Sequence, residues 1–291
     1  MLRLTSVEEA RRSLAGPRAE GRRIGLVPTM GALHDGHLSL VRASRGECDL
    51  TVVSVFVNPT QFGPGEDLAS YPRDLEADAK LLEAEGVDVL FAPREREMYP
   101  PGAETRVDPG SMATVLCGAS RPGHFTGVAT VVVKLLGIAR PDLAFFGEKD
   151  YQQLKVIERV ARDLDLPVRI VGCPIVRDDD GLALSSRNRY LSAAERAHAL
   201  VLSRALRALS EKAAQGLRDA AELAWRAAEE IRAEPGVRLE YLEIVDAESL
   251  ARVERIASGC RALVAAQVGS ARLIDNVEIG SDATGAGATD E

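Results

Sequence analysis

The chain has 291 residues, 46% of them hydrophobic and 27% charged, with a formal net charge of −8. That balance is globular, and the acidic total argues against a protein that coats nucleic acid, which needs cations to neutralise phosphates. Cys48, Cys117, Cys173 and Cys260 are widely spaced with no CxxC pair, so neither a zinc site nor a disulfide framework is expected. The cysteines are expected to be small core residues in a reducing cytosol. The first residues, MLRLTSVEEARRSLAG, are charged and amphipathic rather than a signal peptide. No run approaches the roughly 20 apolar residues of a membrane span, so a cytoplasmic protein is expected.

Along the first half, strand and helix signals alternate. Residues 23–28 (RIGLVP) read as a short buried strand, and an amphipathic helix follows over 37–45. Residues 49–57 (DLTVVSVFV) are β-branched and almost wholly apolar, as a strand buried on both faces should be. A helix over 74–86 ends on Gly86, and 87–92 read as another strand. Residues 124–140 hold a long apolar helix stopped by Pro141. Short strands at 143–146 and 168–171 bracket a helix over 151–164. Such alternation implies an α/β domain, a doubly wound, Rossmann-like parallel sheet, expected over residues 1–175.

Near Pro174 the character changes. Residues 193–214 and 217–233 are Ala- and Arg-rich helices, and 239–245, 260–268 and 271–279 read as strands of a small antiparallel sheet. A smaller α+β lid domain is expected over 176–280. The small, polar tail 281–291 is expected to be disordered.

Ligands in doubly wound sheets lie beyond the carboxyl ends of the strands, and the chemically suggestive residues follow strands here. After the first strand comes PTMGALHDGH, with His34 and His37 one turn apart at a helix start. Free N–H groups at a helix start favour anions, and two imidazoles beside them can donate to phosphate oxygens. Capping or surface histidines are the plainer alternative. There is no GxxxxGK[ST] and no GxGxxG, so the P-loop and dinucleotide modes are excluded. After the next strand come Asn58 and Gln61, neutral groups suited to hydroxyls and carboxylates; an Asn-Pro turn explains Asn58 but not Gln61. Arg121 and His124 open the apolar helix, either at the mouth of a site or as caps. Gly147, Lys149, Asp150 and Gln153 follow a further strand. Lys149 can reach a polyphosphate, and Asp150 can accept from a ribose hydroxyl or cap the helix. Ser185, Ser186 and Arg187, two hydroxyls and a cation on a loop, suit a mobile phosphate clamp or a plain linker.

Taken in order, PTMGALHDGH, SVFVNPTQF, YPR, RPGHFTGV, FFGEKDYQQL and LSSRNRYL resemble the pantothenate synthetase (pantoate–β-alanine ligase) family. That family is similar to other nucleotidyltransferases with a HIGH-like motif. His34–His37 stands at the HIGH place, and Leu184–Arg187 looks like the counterpart of the mobile KMSKS-type loop. The resemblance implies condensation of pantoate with β-alanine through a pantoyl-adenylate, releasing pyrophosphate and then AMP. It implies catalytic roles for His34, His37, Lys149 and Arg187. ATP contacts are implied for Met30, Gly31, His34, His37, Gly147, Lys149, Asp150, Val176, Leu184, Ser185, Ser186 and Arg187. Gln61 and Gln153 are implied to hold pantoate, with Asn58, Arg121 and His124 near the pantoate and β-alanine pocket. Mg²⁺ and a homodimer are also implied. Ala77 and Leu81 stand where some relatives carry metal-associated polar residues, which leaves Asp78 as the metal candidate. The rivals are a cytidylyltransferase-like enzyme, which should lack the Gln61 and Gln153 pair, and a non-catalytic nucleotide-binding protein.

Overall fold

The computed structural model describes residues 1–280, so the expected disordered tail lies outside the described residues. The chain forms two compact units, Met1–Val176 with Leu184–Ser186, and Arg177–Ala183 with the residues from Arg187 onward. The boundary is therefore not one cut near residue 175, because the segment 184–186 returns to the first unit.

The first unit runs β1 (Leu2–Leu4), α1 (Val7–Ala19), β2 (Ile24–Thr29), α2 (Asp35–Glu47), β3 (Leu50–Val55), α3 (Leu75–Ala84) and β4 (Val89–Phe91). Two one-turn helices follow, α4 (Glu95–Met98) and α5 (Cys117–Ser120), then α6 (His124–Ala139), β5 (Leu143–Gly147), α7 (Tyr151–Asp163) and β6 (Arg169–Cys173). The six strands form one sheet, ordered β1-β4-β3-β2-β5-β6, and every pair is parallel. From β2 the chain winds outward through β3 to β4, then crosses back to β5 on the other side of β2. The switch point thus lies between the carboxyl ends of β2 and β5, where such sheets bind ligands.

Both faces of the central strands are buried, which explains why β3 reads as almost wholly apolar. Val27, Val53, Leu90, Leu143 and Phe145 pack against Leu40 and Val41 of α2. The strand β1 and helix α1 were not singled out as elements by their pattern. Ser6 and Glu9 form a capping box that starts α1, a signal legible in Ser-Val-Glu-Glu. All four cysteines are free thiols; three are buried and Cys48 is partly so.

The second unit contains α8 (Ala193–Ala199), α9 (Val201–Ala214), α10 (Ala220–Ala233) and the antiparallel sheet β7 (Val237–Asp246), β8 (Cys260–Val268) and β9 (Ala271–Ile279). One helix was expected over 193–214; it divides at Leu200, which ends α8 and begins α9. Alternate residues of β8, from Cys260 to Val268, face Leu202, Leu206 and Leu209 of α9 and Leu223 and Ile231 of α10. No helix among the described residues is long and apolar enough to cross a membrane.

Candidate active site

The loop between β2 and α2 carries the two histidines, and it is bent in a way that needs support. Gly31 has φ +84° and Ala32 φ +52°, a left-handed pair that costs energy at the non-glycine residue. The support is Asp78 on α3. Its buried carboxylate accepts from the N–H of Ala32 at 3.0 Å and of Leu33 at 2.8 Å. Asp78, the expected metal candidate, thus braces the loop: each of its oxygens takes one main-chain proton. Ser186 ties the same loop from the other side: its buried hydroxyl donates to the Ala32 carbonyl at 3.1 Å. The Leu184 N–H donates to the Val176 carbonyl at 3.0 Å, and Val176, Leu184, Ser185 and Ser186 belong to the first unit while Arg187 belongs to the second.

His34 is the N-cap of α2. Its Nδ1 accepts from the Gly36 N–H at 3.2 Å, which leaves the imidazole proton on Nε2. The His37 ring lies 4.1 Å from the His34 ring, centroid to centroid. Burial, then the neighbouring His34, pull the His37 pKa from 6.5 down to about 3; Lys149 adds to this and Asp150 opposes it. His37 is therefore neutral at pH 7, and its Nδ1 is buried with no hydrogen-bond partner among the described residues. A buried imidazole nitrogen without a partner at a helix start is unusual enough to need a reason, and a ligand oxygen would supply one.

Across the switch point, β5 ends at Gly147 and a 3-10 turn over Glu148–Asp150 leads into α7. Asp150 makes no capping bond to α7; its carboxylate lies 3.6 Å from the Lys149 ammonium. The capping alternative for Asp150 thus falls away. The next residue pair divides its work. Gln152 is buried and structural, accepting from Cys117 N–H at 3.0 Å and donating to the Met112 and Val115 carbonyls, so it holds the segment before α6. Gln153 is partly exposed on the same helix.

Gln61 lies in the 3-10 turn Pro59–Gln61 after β3, and its amide orientation can be deduced. Asn58 Nδ2 lies 3.1 Å from the Gly127 carbonyl, which only accepts, so Nδ2 is the donor. Its second proton goes to Gln61 Oε1 at 3.0 Å. Gln61 therefore turns its NH₂ group outward, toward Met30 Sδ at 3.2 Å on the histidine loop. Asn58 itself is 1% exposed; its Oδ1 accepts from the Thr60 and Tyr99 hydroxyls, so it orients Gln61 rather than reaching a ligand. The close approach of α6 depends on Gly127, where a Cβ would stand 2.3 Å from the Thr60 carbonyl oxygen.

Arg121 and His124 sit on the other side of Gln61. His124 Nδ1 donates to the Gln61 carbonyl at 2.8 Å, and His124 Nε2 lies 3.0 Å from Arg121 Nη1. Burial and the Arg121 charge push the His124 pKa down to about 4. Gly123, not a side chain, caps α6, so neither residue is a cap. Glu66, Tyr99, Gln152 and the Met30 sulfur were not singled out as parts of this network by the sequence. Met30 is itself among the implied ATP contacts, and Gln152 adjoins Gln153 in the YQQL run.

The family model for pantoate–β-alanine ligase matches residues 3–278. The chain belongs to that family. It is 56% identical over 269 residues to a pantothenate synthetase of Acidobacterium capsulatum, covering 91% of this chain and 90% of that protein. A pantothenate synthetase structure from Thermus thermophilus superimposes with TM-score 0.91 at 51% identity, covering 97% of this chain and 100% of that one. A Francisella tularensis pantoate-β-alanine ligase, complexed with β-γ ATP and β-alanine, matches with TM-score 0.78 at 36% identity over 96% of this chain and 97% of that chain. The chain is thus an ATP-dependent ligase that condenses pantoate with β-alanine.

Proposed function

We propose that the ligase works through a pantoyl-adenylate formed at the β2–β5 switch point, with the residue roles that follow. A pantoate carboxylate oxygen attacks the α-phosphorus of ATP; the new P–O bond forms as the α–β bridging bond breaks and pyrophosphate leaves. The β-alanine nitrogen then attacks the acyl carbon, the C–N bond forms, AMP leaves with the carbonyl's former oxygen partner, and the amine loses a proton. The observation that carries this reading is the pairing of the His34 and His37 rings at one helix start, with Lys149 near enough to bear on the charge of His37 and the NH₂ of Gln61 bonded to Met30 of the same loop.

The chemistry asks for stabilisation of charge that grows as two anions react, and fixed donors supply it without reorganisation. His34 offers Nε2–H, Lys149 a cation, and the start of α2 its main-chain dipole. His37 is neutral in the free protein; a triphosphate beside it favours its protonated form, so it can donate as pyrophosphate departs. Gln61 can only donate outward, which suits a carboxylate or hydroxyl oxygen of pantoate, and Gln153 is assigned to the same substrate. Gly147, Asp150, Val176 and Leu184 are assigned to the adenosine, and Ser185, Ser186 and Arg187 to the phosphates. Mg²⁺ is assigned to the triphosphate as part of the substrate, since Asp78 is engaged by the main chain. The resemblance extends the reading to a homodimer in the cytoplasm.

The test is ATP–pyrophosphate exchange with each substrate added singly. Exchange is expected with pantoate alone, because the α–β bond breaks before the amine is used. ADP as product, or exchange that requires β-alanine, refutes the adenylate route.

A further inference from the structure

Beside Gln61 stands a charged assembly for which the condensation itself has no evident use. Arg121 donates to Glu66 through Nε at 2.7 Å and Nη2 at 2.5 Å, and the two side chains are only 15% and 25% exposed. Burial alone would raise the Glu66 pKa, but the Arg121 hydrogen bond and charge outweigh it and hold the carboxyl below its ordinary value. The remaining Arg121 protons are also taken. Nη2 reaches the Gln61 carbonyl at 3.4 Å, and Nη1 reaches His124 Nε2 at 3.0 Å and Cys117 Sγ at 4.0 Å. A guanidinium has five N–H donors, and here each has an acceptor within the chain.

The proton positions follow without further assumption. The Gln61 carbonyl can only accept, so His124 carries its proton on Nδ1. His124 Nε2 is then a lone pair, and it must accept from Arg121. The direction of every bond is thereby set from Glu66 to Gln61. We propose that Glu66, Arg121 and His124 are positioning residues that grip the Gln61 main chain, and that they act on pantoate only through the Gln61 side chain.

The geometry favours this over direct substrate contact. A pantoate carboxylate could engage Arg121 only by displacing Glu66, a partly buried bidentate partner. The turn that carries Gln61 spans only Pro59–Gln61, too short to be rigid by itself. Asn58 holds the Gln61 side chain from one side and the triad holds its carbonyl from the other, so the outward NH₂ is fixed at both ends. Donors held in place before binding lose less freedom when the substrate arrives. The inference rests on the reading of Gln61 as a pantoate contact, and the experiment separates the two.

Uniformly ¹⁵N-labelled protein contains only four histidines, so His124 can be assigned by comparison with His124→Asn. Two-bond proton–nitrogen spectra at pH 7.5 should show the Nδ1–H tautomer for His124 in the parent. In the exchange assay, Glu66→Gln should raise KM for pantoate about tenfold while KM for ATP moves less than about twofold. Arg121→Lys, which cannot make the bidentate bond, should behave alike. In a Gln61→Ala background, adding Glu66→Gln should change the pantoate KM by less than about twofold, because the triad then has nothing to position. An Nε2–H tautomer in the parent, an unchanged pantoate KM in Glu66→Gln, or a full effect of Glu66→Gln in the Gln61→Ala background each overturns the proposal. If Gln61→Ala alone leaves the pantoate KM unaltered while the tautomer is as expected, the reading of Gln61 is what fails, and the positioning role falls with it.

Discussion

Lowering the pH from 7.5 to 5.0 should destabilise the first unit through two particular imidazoles. His37 and His124 have folded pKa values of about 3 and about 4, each held down first by burial, against 6.5 when unfolded. A depressed histidine pKa means the unfolded chain binds the proton more readily. Stability is therefore full above pH 6.5 and falls as the pH drops from there toward the folded values. At pH 5.0 the unfolded imidazole is almost wholly protonated and the folded one almost wholly neutral. The bias toward unfolding is about 2 kcal/mol for each histidine, or roughly 4 kcal/mol for the pair. Carboxylates titrate over part of the same range, so the assay compares variants. Urea unfolding followed by far-UV circular dichroism would be run at both pH values on the parent, His37→Asn and His124→Asn. Each variant is expected to lose about 2 kcal/mol less than the parent on acidification, whatever its stability at pH 7.5. An equal loss in all three proteins would refute the claim that these imidazoles are buried and neutral.

Asp78→Ala should destabilise the first unit by about 3 kcal/mol or more, since two main-chain N–H groups lose a charged acceptor. Added Mg²⁺ should change the stability of parent and variant alike; a Mg²⁺-dependent stabilisation of the parent that Asp78→Ala loses would return Asp78 to the metal, and urea titration with and without the ion decides. Gly127→Ala forces a methyl against the Thr60 carbonyl and should cost about 1–3 kcal/mol, with a raised pantoate KM because the turn bearing Gln61 must shift. A thermal melt and a KM both equal to the parent's would show that α6 has slack there. Lys149→Ala should keep the fold and lower turnover about 100- to 1,000-fold, read by the exchange assay alongside circular dichroism. Near-normal turnover would remove Lys149 from the phosphates.

Much of the fold was legible because periodicity and punctuation are local. Residues 49–57 read as a strand buried on both faces, since they are β-branched and almost wholly apolar, and β3 is such a strand, with Thr51 and Ser54 buried within it. The alternation of strands and helices implied a parallel sheet, and the residues following each strand were marked as the site because strand ends converge in that architecture. The break of the 193–214 helix at Leu200 was not legible, because no Pro or Gly marks it.

Residue type alone left the roles within the site undetermined. The resemblance makes Asp78 a metal candidate by its place on the helix after Tyr-Pro-Arg. Only the fold brings it to Ala32 and Leu33, over 40 positions away, where it accepts from two main-chain donors and braces the loop. Arg121 and His124 were marked as substrate contacts or caps. Tertiary structure supplied Glu66 as the acceptor for one and the Gln61 carbonyl as the acceptor for the other. The neutrality of His37 likewise depends on burial beside His34, which no spacing encodes. The sequence by itself determined which chemical groups reach the ends of the strands, because that depends on local pattern. Which donors remain for a ligand was decided only by the tertiary structure, because a hydrogen bond is assigned by its partner, and the partners here come from segments far apart in the chain.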